Sequence, residues 1–84
     1  MLRLSQSHTP GRPRFMLEGK LAGPWVDELA AAMEREFERG SSPTLDLQRV
    51  GFVDHAGLSL LRRLQARGVA IEGRSGFVAE LMRA

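Results

Sequence analysis

Residues 44–73, TLDLQRVGFVDHAGLSLLRRLQARGVAIEG, constrain the fold of this chain more than any other stretch. Leu45 and Leu47 alternate with polar neighbours, as in a strand with one buried face, and Val50, Phe52 and Val53 carry the apolar run onward. After VDHAG the spacing changes. Leu58, Leu61 and Leu64, with Leu60 beside them, recur at helical intervals, while Arg62, Arg63 and Arg67 take positions that should reach solvent. Gly68 ends this helix, and VAIE reads as a short buried strand. Two strands joined by a helix of about a dozen residues form a βαβ unit, which demands parallel strands and a right-handed crossover.

The flanks extend this unit. LRLS alternates Leu2 and Leu4 with polar residues, a weak edge strand, and HTPGRP is turn chemistry. RFMLEGKLAG is a stronger strand with Phe15, Leu17 and Leu21 on one face and a bulge signalled at Gly19. GPWVDELAAAMEREFERG is a helix marked at both ends. Pro24 suits the first helical position, Asp27 and Glu28 favour the positive end of the dipole, and Gly40 stops it. Its stripe of Val26, Leu29, Met33 and Phe37 reads as core. A last amphipathic helix runs through Phe77, Leu81 and Met82, with Ser75 as its N-cap. The predicted order is β-β-α-β-α-β-α, an α/β fold of one domain over residues 1–84, with residues 1–12 contributing only the weak edge strand and turn.

Composition narrows the function classes. The chain has no cysteine, so a disulfide scaffold and a thiolate metal site are excluded. No apolar run reaches the roughly 18 residues that cross a bilayer, and no apolar segment of a secretory signal is visible at the start. A cytoplasmic protein that is not itself membrane-embedded is the expectation. Net charge is +2, but it is segregated. Residues 1–23 carry +3 (Arg3, Arg12, Arg14 and Lys20 against Glu18), and residues 24–39 carry −3 (Arg35 and Arg39 against Asp27, Glu28, Glu34, Glu36 and Glu38). Nucleic-acid binders concentrate a basic face. An acidic helix beside a basic one suits a protein partner instead, and no nucleic-acid partner is expected.

At the strand–helix junction, Asp54 is placed to cap the helix by accepting from N–H groups of its first turn. Gly57 removes a side chain from that turn and lets another backbone approach. His55, at the positive end of the dipole, is expected to be neutral at pH 7. No cysteine nucleophile exists and Ser59 lies within the helix, so no nucleophile–base–orienter set can be assembled and no enzyme is expected. His8 and His55 lack partners at ligand spacing, and no P-loop pattern is present, so neither a metal nor a nucleotide cofactor is expected. From the residues alone, the junction is a capped helix start whose exposed edge can dock a partner, and some other small α/β domain stays open.

This constellation resembles the STAS domain of bacterial anti-sigma factor antagonists. That family reads, in outline, strand, G-x-L, helix, then hydrophobic-D-L-x-x-V-x-x-hydrophobic-D-S-S-G-L-x-x-L, helix, strand, G, helix. LEGKLAGPWVDELAAAM is similar to the first portion, LDLQRVGFVDHAGLSLLRRL to the second and GVAIEGRSGFVAELM to the third, over roughly residues 13–84. The resemblance implies a mixed β-sheet with helices packed on it, no catalysis, and a regulatory, signalling role through protein–protein contact. It places the docking surface at Asp54, His55, Ala56, Gly57, Leu58, Ser59, Arg62 and Arg63. The implied partner is an anti-sigma factor that is also a serine kinase and phosphorylates the hydroxyl residue before the motif glycine. Here that position is Ala56, and His55 replaces the first Ser or Thr, so no phosphorylation is expected in the turn. Ser59 and Ser75 are poor substitutes. DHAGL is also similar to the D-T-A-G-L turn of the small STAS subunit of lipid-asymmetry ABC transporters, which implies the ATPase subunit as an alternative partner. The closing helices are short beside the family's. A homodimer is left open.

Overall fold

Four strands and three helices follow in the expected order in the computed structural model, which describes residues 1–7, 12–74 and 76–83. They are β1 (Leu2–Ser7), β2 (Arg14–Leu21), α1 (Pro24–Glu38), β3 (Thr44–Val53), α2 (His55–Ala66), β4 (Ala70–Glu72) and α3 (Gly76–Arg83). The sheet order is β1-β2-β3-β4. β1 runs antiparallel to β2, whereas β2–β3 and β3–β4 are parallel, because each of those pairs is joined by a helix rather than a hairpin.

One face of the sheet is apolar. Phe15, Leu17 and Leu21 on β2 and Leu45, Leu47, Val50 and Val53 on β3 are buried. They meet Val26, Leu29 and Met33 of α1 and Leu60, Leu61 and Leu64 of α2. The alternation on β3 slips because its pairing with β2 shifts register between Met16 and Glu18 and again between Gly19 and Lys20. At the second shift the extra residue is Gly51 of β3, so the bulge expected at Gly19 falls on the partner strand opposite it; Gly19 itself has a φ of 110°, which suits glycine. The opposite face is polar and laced with ion pairs. Arg14 reaches Asp46 at 3.0 Å and Glu72 at 2.6 Å, tying β2, β3 and β4 together, and both carboxylates raise the pKa of its guanidinium. Asp46 is buried there, and it also accepts from the Gln48 N–H at 2.9 Å.

Several expectations change in detail. VAIE is not a buried strand: β4 spans three residues, lies at the sheet edge and is half-buried, with Glu72 exposed and only Val69 before it in the core. β4 pairs with β3 only as far as Asp46, and α3 packs against β3 and α2. The stripe of α3 is set differently as well. Val78 is its buried residue, Leu81 and Met82 are half-buried, and Phe77 is exposed. Phe37 of α1 is only half-buried and is capped by the Arg67 guanidinium, 4.0 Å from the ring centre. Glu36 takes the buried place on that turn, paired with Arg39 at 3.1 Å. Arg67 also pairs with Glu34, so the acidic and basic helices meet side by side. His8, the HTPG part of the predicted turn and the Ser75 cap lie outside the described residues.

Candidate functional site at the start of the second helix

The parallel strands β2 and β3 end at the same level, with Leu21 paired to Val53. The chain then turns into α1 after β2 and into α2 after β3, so two helix starts sit at one corner. In open α/β sheets this carboxyl edge of the strands is where ligands and partners are met.

Asp54 organises the corner. Its backbone is extended (φ −83°, ψ 179°), as an N-cap requires. One carboxylate oxygen accepts from the Gly57 N–H at 2.7 Å, closing the first turn of α2 as the sequence predicts. The other accepts from the Gly23 N–H at 3.0 Å, at the start of α1. These two hydrogen bonds, the one from Gly23 foremost, hold the Asp54 carboxyl below the usual carboxylate range, and the adjacent His55 adds to the shift. The Asp54 N–H in turn donates to the Leu21 carbonyl at 3.1 Å. One residue thus links the end of β2 and the starts of both helices. The bond to Gly23 spans 31 positions, and sequence reasoning missed it. Its only local signal is Gly23 itself, which opens α1 with φ 58° and no side-chain cap of its own.

Gly57 brings the helix start close to the strand ends, as the missing side chain allows. A Cβ built there would lie 2.7 Å from the Leu21 carbonyl oxygen and 2.9 Å from Val53 Cγ1. The helix start is therefore pressed against the ends of both strands, and Gly57 is buried. Gly57 therefore lies beneath the exposed side chains of the turn. Leu58 is half-buried against the core, while His55, Ala56, Ser59, Arg62 and Arg63 are exposed. The corner thus presents an imidazole, a methyl group, a hydroxyl and two guanidinium groups on a rigid frame. Among the described residues, no group of three or more His, Asp or Glu side chains is placed to hold a metal ion, and no helix is long and apolar enough to cross a membrane.

No protein-family model matches the chain, and no curated protein matches its sequence significantly. Solved structures do match its fold. SpoIIAA, an anti-sigma factor antagonist in its unphosphorylated form, is similar with a TM-score of 0.70 at 19% identity, over 99% of this chain and 82% of its own. Mglu is similar with a TM-score of 0.63 at 26% identity, over 81% of this chain but 18% of Mglu. A protein of Shewanella loihica PV-4 with a SpoIIAA-like fold gives a TM-score of 0.59 at 14% identity, over 90% of this chain and 69% of its own. The chain is therefore a STAS-like α/β domain with the fold of SpoIIAA.

Proposed function

We propose that the chain is a non-enzymatic regulatory module of the anti-sigma factor antagonist type, which grips a protein partner with the start of α2. The observation that carries this reading is the rigid, exposed corner of α2 on a SpoIIAA fold. His55, Ala56, Ser59, Arg62 and Arg63 face solvent there, over a frame held by Asp54 and Gly57. Arginines at the rim tune association rate and partner choice more than raw affinity. Ala56 has no hydroxyl, so a phosphate cannot be added where the family resemblance puts it. Such a phosphate would bring about −2 of charge to the docking surface and release the partner. Without it, the module stays engaged until its partner is titrated away.

The test uses an anti-sigma factor serine kinase. The chain binds it in calorimetry, and with ATP the native chain gains no phosphate within residues 52–60, whereas the Ala56→Ser variant does. Phosphate in that stretch of the native chain defeats the unswitched reading. Ala56 also favours a second reading, in which the chain is the STAS subunit of a lipid-transporting ABC system. Co-purification with an ABC ATPase, without binding to the kinase, selects that reading over the first.

A further inference from the structure

Phe52 and Phe77 are the exposed aromatics that the fold does not explain. Their relative exposures are 43% and 42%, and their rings stack with centroids 6.1 Å apart and planes 23° from parallel. Single exposed apolar residues are ordinary, but a stack built by a strand and a helix from separate parts of the chain is a contiguous apolar patch. Its strand member lies at the end of β3, two residues before Asp54 in the chain. The unpaired charge on the flanking residues is positive. Lys20 is the cross-strand neighbour of Phe52, and Arg74 precedes Phe77 by three positions; both are exposed. The nearby acids are matched already: Glu18 pairs with Arg49 at 3.3 Å, and Glu80 with Arg83 at 3.4 Å. Among the described residues, no carboxylate pairs with the Lys20 ammonium or the Arg74 guanidinium.

We propose that the Phe52–Phe77 stack is the apolar anchor site for an acidic segment of a protein partner, with Lys20 and Arg74 as its charged rim. This rests on the docking reading and extends it by naming the chemistry of what docks. Aromatic anchors in a charged rim are where binding energy concentrates in protein interfaces. A second copy of the chain fits less well. Two of the five carboxylates on its acidic helix α1 are already committed, Glu34 to Arg67 and Glu36 to Arg39, and a copy that docked through the exposed Asp27, Glu28 and Glu38 would show itself by dependence on chain concentration.

The test is a titration of the isotope-labelled chain, followed by amide chemical shifts, with two synthetic peptides. One is rich in glutamate and carries two leucines; the other replaces each glutamate by lysine. The acidic peptide binds saturably and shifts Lys20, Phe52, Arg74 and Phe77. Phe77→Ser weakens it at least tenfold, and the Lys20→Glu, Arg74→Glu double variant reverses the preference. Thermal unfolding of Phe77→Ser checks its fold, and Phe52→Thr, which keeps strand propensity, repeats the test independently. No saturable binding of the acidic peptide, equal binding of the lysine peptide, or shifts at these residues that grow with chain concentration alone would each overturn the proposal. If a kinase or ATPase partner still docks at His55 and Ala56 with unchanged affinity in Phe77→Ser, this inference fails and the docking reading stands.

Discussion

Gly57→Ala isolates the close approach that frames the site. The new Cβ would sit 2.7 Å from the Leu21 carbonyl oxygen and 2.9 Å from Val53 Cγ1. One of these obstacles is backbone, so rotamer change cannot relieve the contact. Overpacking of this kind costs about 1–3 kcal/mol. Against it stands the preference of a helix for alanine over glycine, about 1 kcal/mol at most. The balance is a net loss of up to about 2 kcal/mol, and in a domain of this size each kcal/mol lowers Tm by about 4–8 °C. The Leu21 carbonyl also accepts from Asp54, so the displacement should reach the amide signals of Gly23 and Asp54. Gly51→Ala is the matched control. It lies on exposed β3 backbone with nothing within 4 Å of the new Cβ, and it should stabilise by about 0.4–1 kcal/mol through the unfolded chain. Urea and thermal unfolding of the two variants decide the matter. If Gly57→Ala equals or exceeds the Gly51→Ala variant in stability, the helix start is not pressed against the strand ends and the argument for a rigid corner is wrong.

Three further outcomes are expected. The lowered carboxyl pKa of Asp54 means that its contribution is fully present above its unfolded value, near pH 4, and is lost as pH falls through the lower folded value. Asp54→Asn, which keeps a capping acceptor but no charge, should therefore shrink the acid loss of stability below about pH 4 in urea titrations, and an unchanged acid limb would contradict the assignment. Arg14→Gln removes the cation that ties Asp46 to Glu72. Amides of Ala70–Glu72 should then exchange faster than those of β2, whereas uniform loss of protection across the sheet would show that β4 has no separate latch. Leu61→Ala, at a fully buried position of α2, should cost about 2–5 kcal/mol in urea unfolding; a loss under about 1 kcal/mol would place Leu61 outside the core.

Much of this architecture was legible because residues 44–68 begin with a two-residue period and end with a helical one, although the first slips after Leu47. Leu45 and Leu47 repeat every two residues, Leu61 and Leu64 every three or four, and Asp54 marks the change. The cap was legible for the same reason, since its partner Gly57 is local. The parts that escaped depend on distant residues. The hydrogen bond from Gly23 to Asp54 joins two loops that only the parallel pairing of β2 and β3 brings together. Asp46 looks like the polar member of an alternating strand, yet it is buried because Arg14 and the β4 turn close over it. Phe77 fits the apolar stripe of α3, but Val78 takes the core position and rotates the ring outward onto Phe52. Periodicity assigns a residue to a face of its own element. It does not say which neighbour has already filled the space there.

Where a partner touches the chain decides whether the start of α2 is a docking surface. Amide shifts of the labelled protein, recorded as an anti-sigma factor serine kinase is added, measure this directly. The expected result is saturable change at His55, Ala56, Ser59, Arg62 and Arg63, with Ala56→Asp weakening binding at least tenfold while its unfolding curve stays that of the native chain. Saturable binding that leaves those five amides still and is indifferent to Ala56→Asp would contradict it.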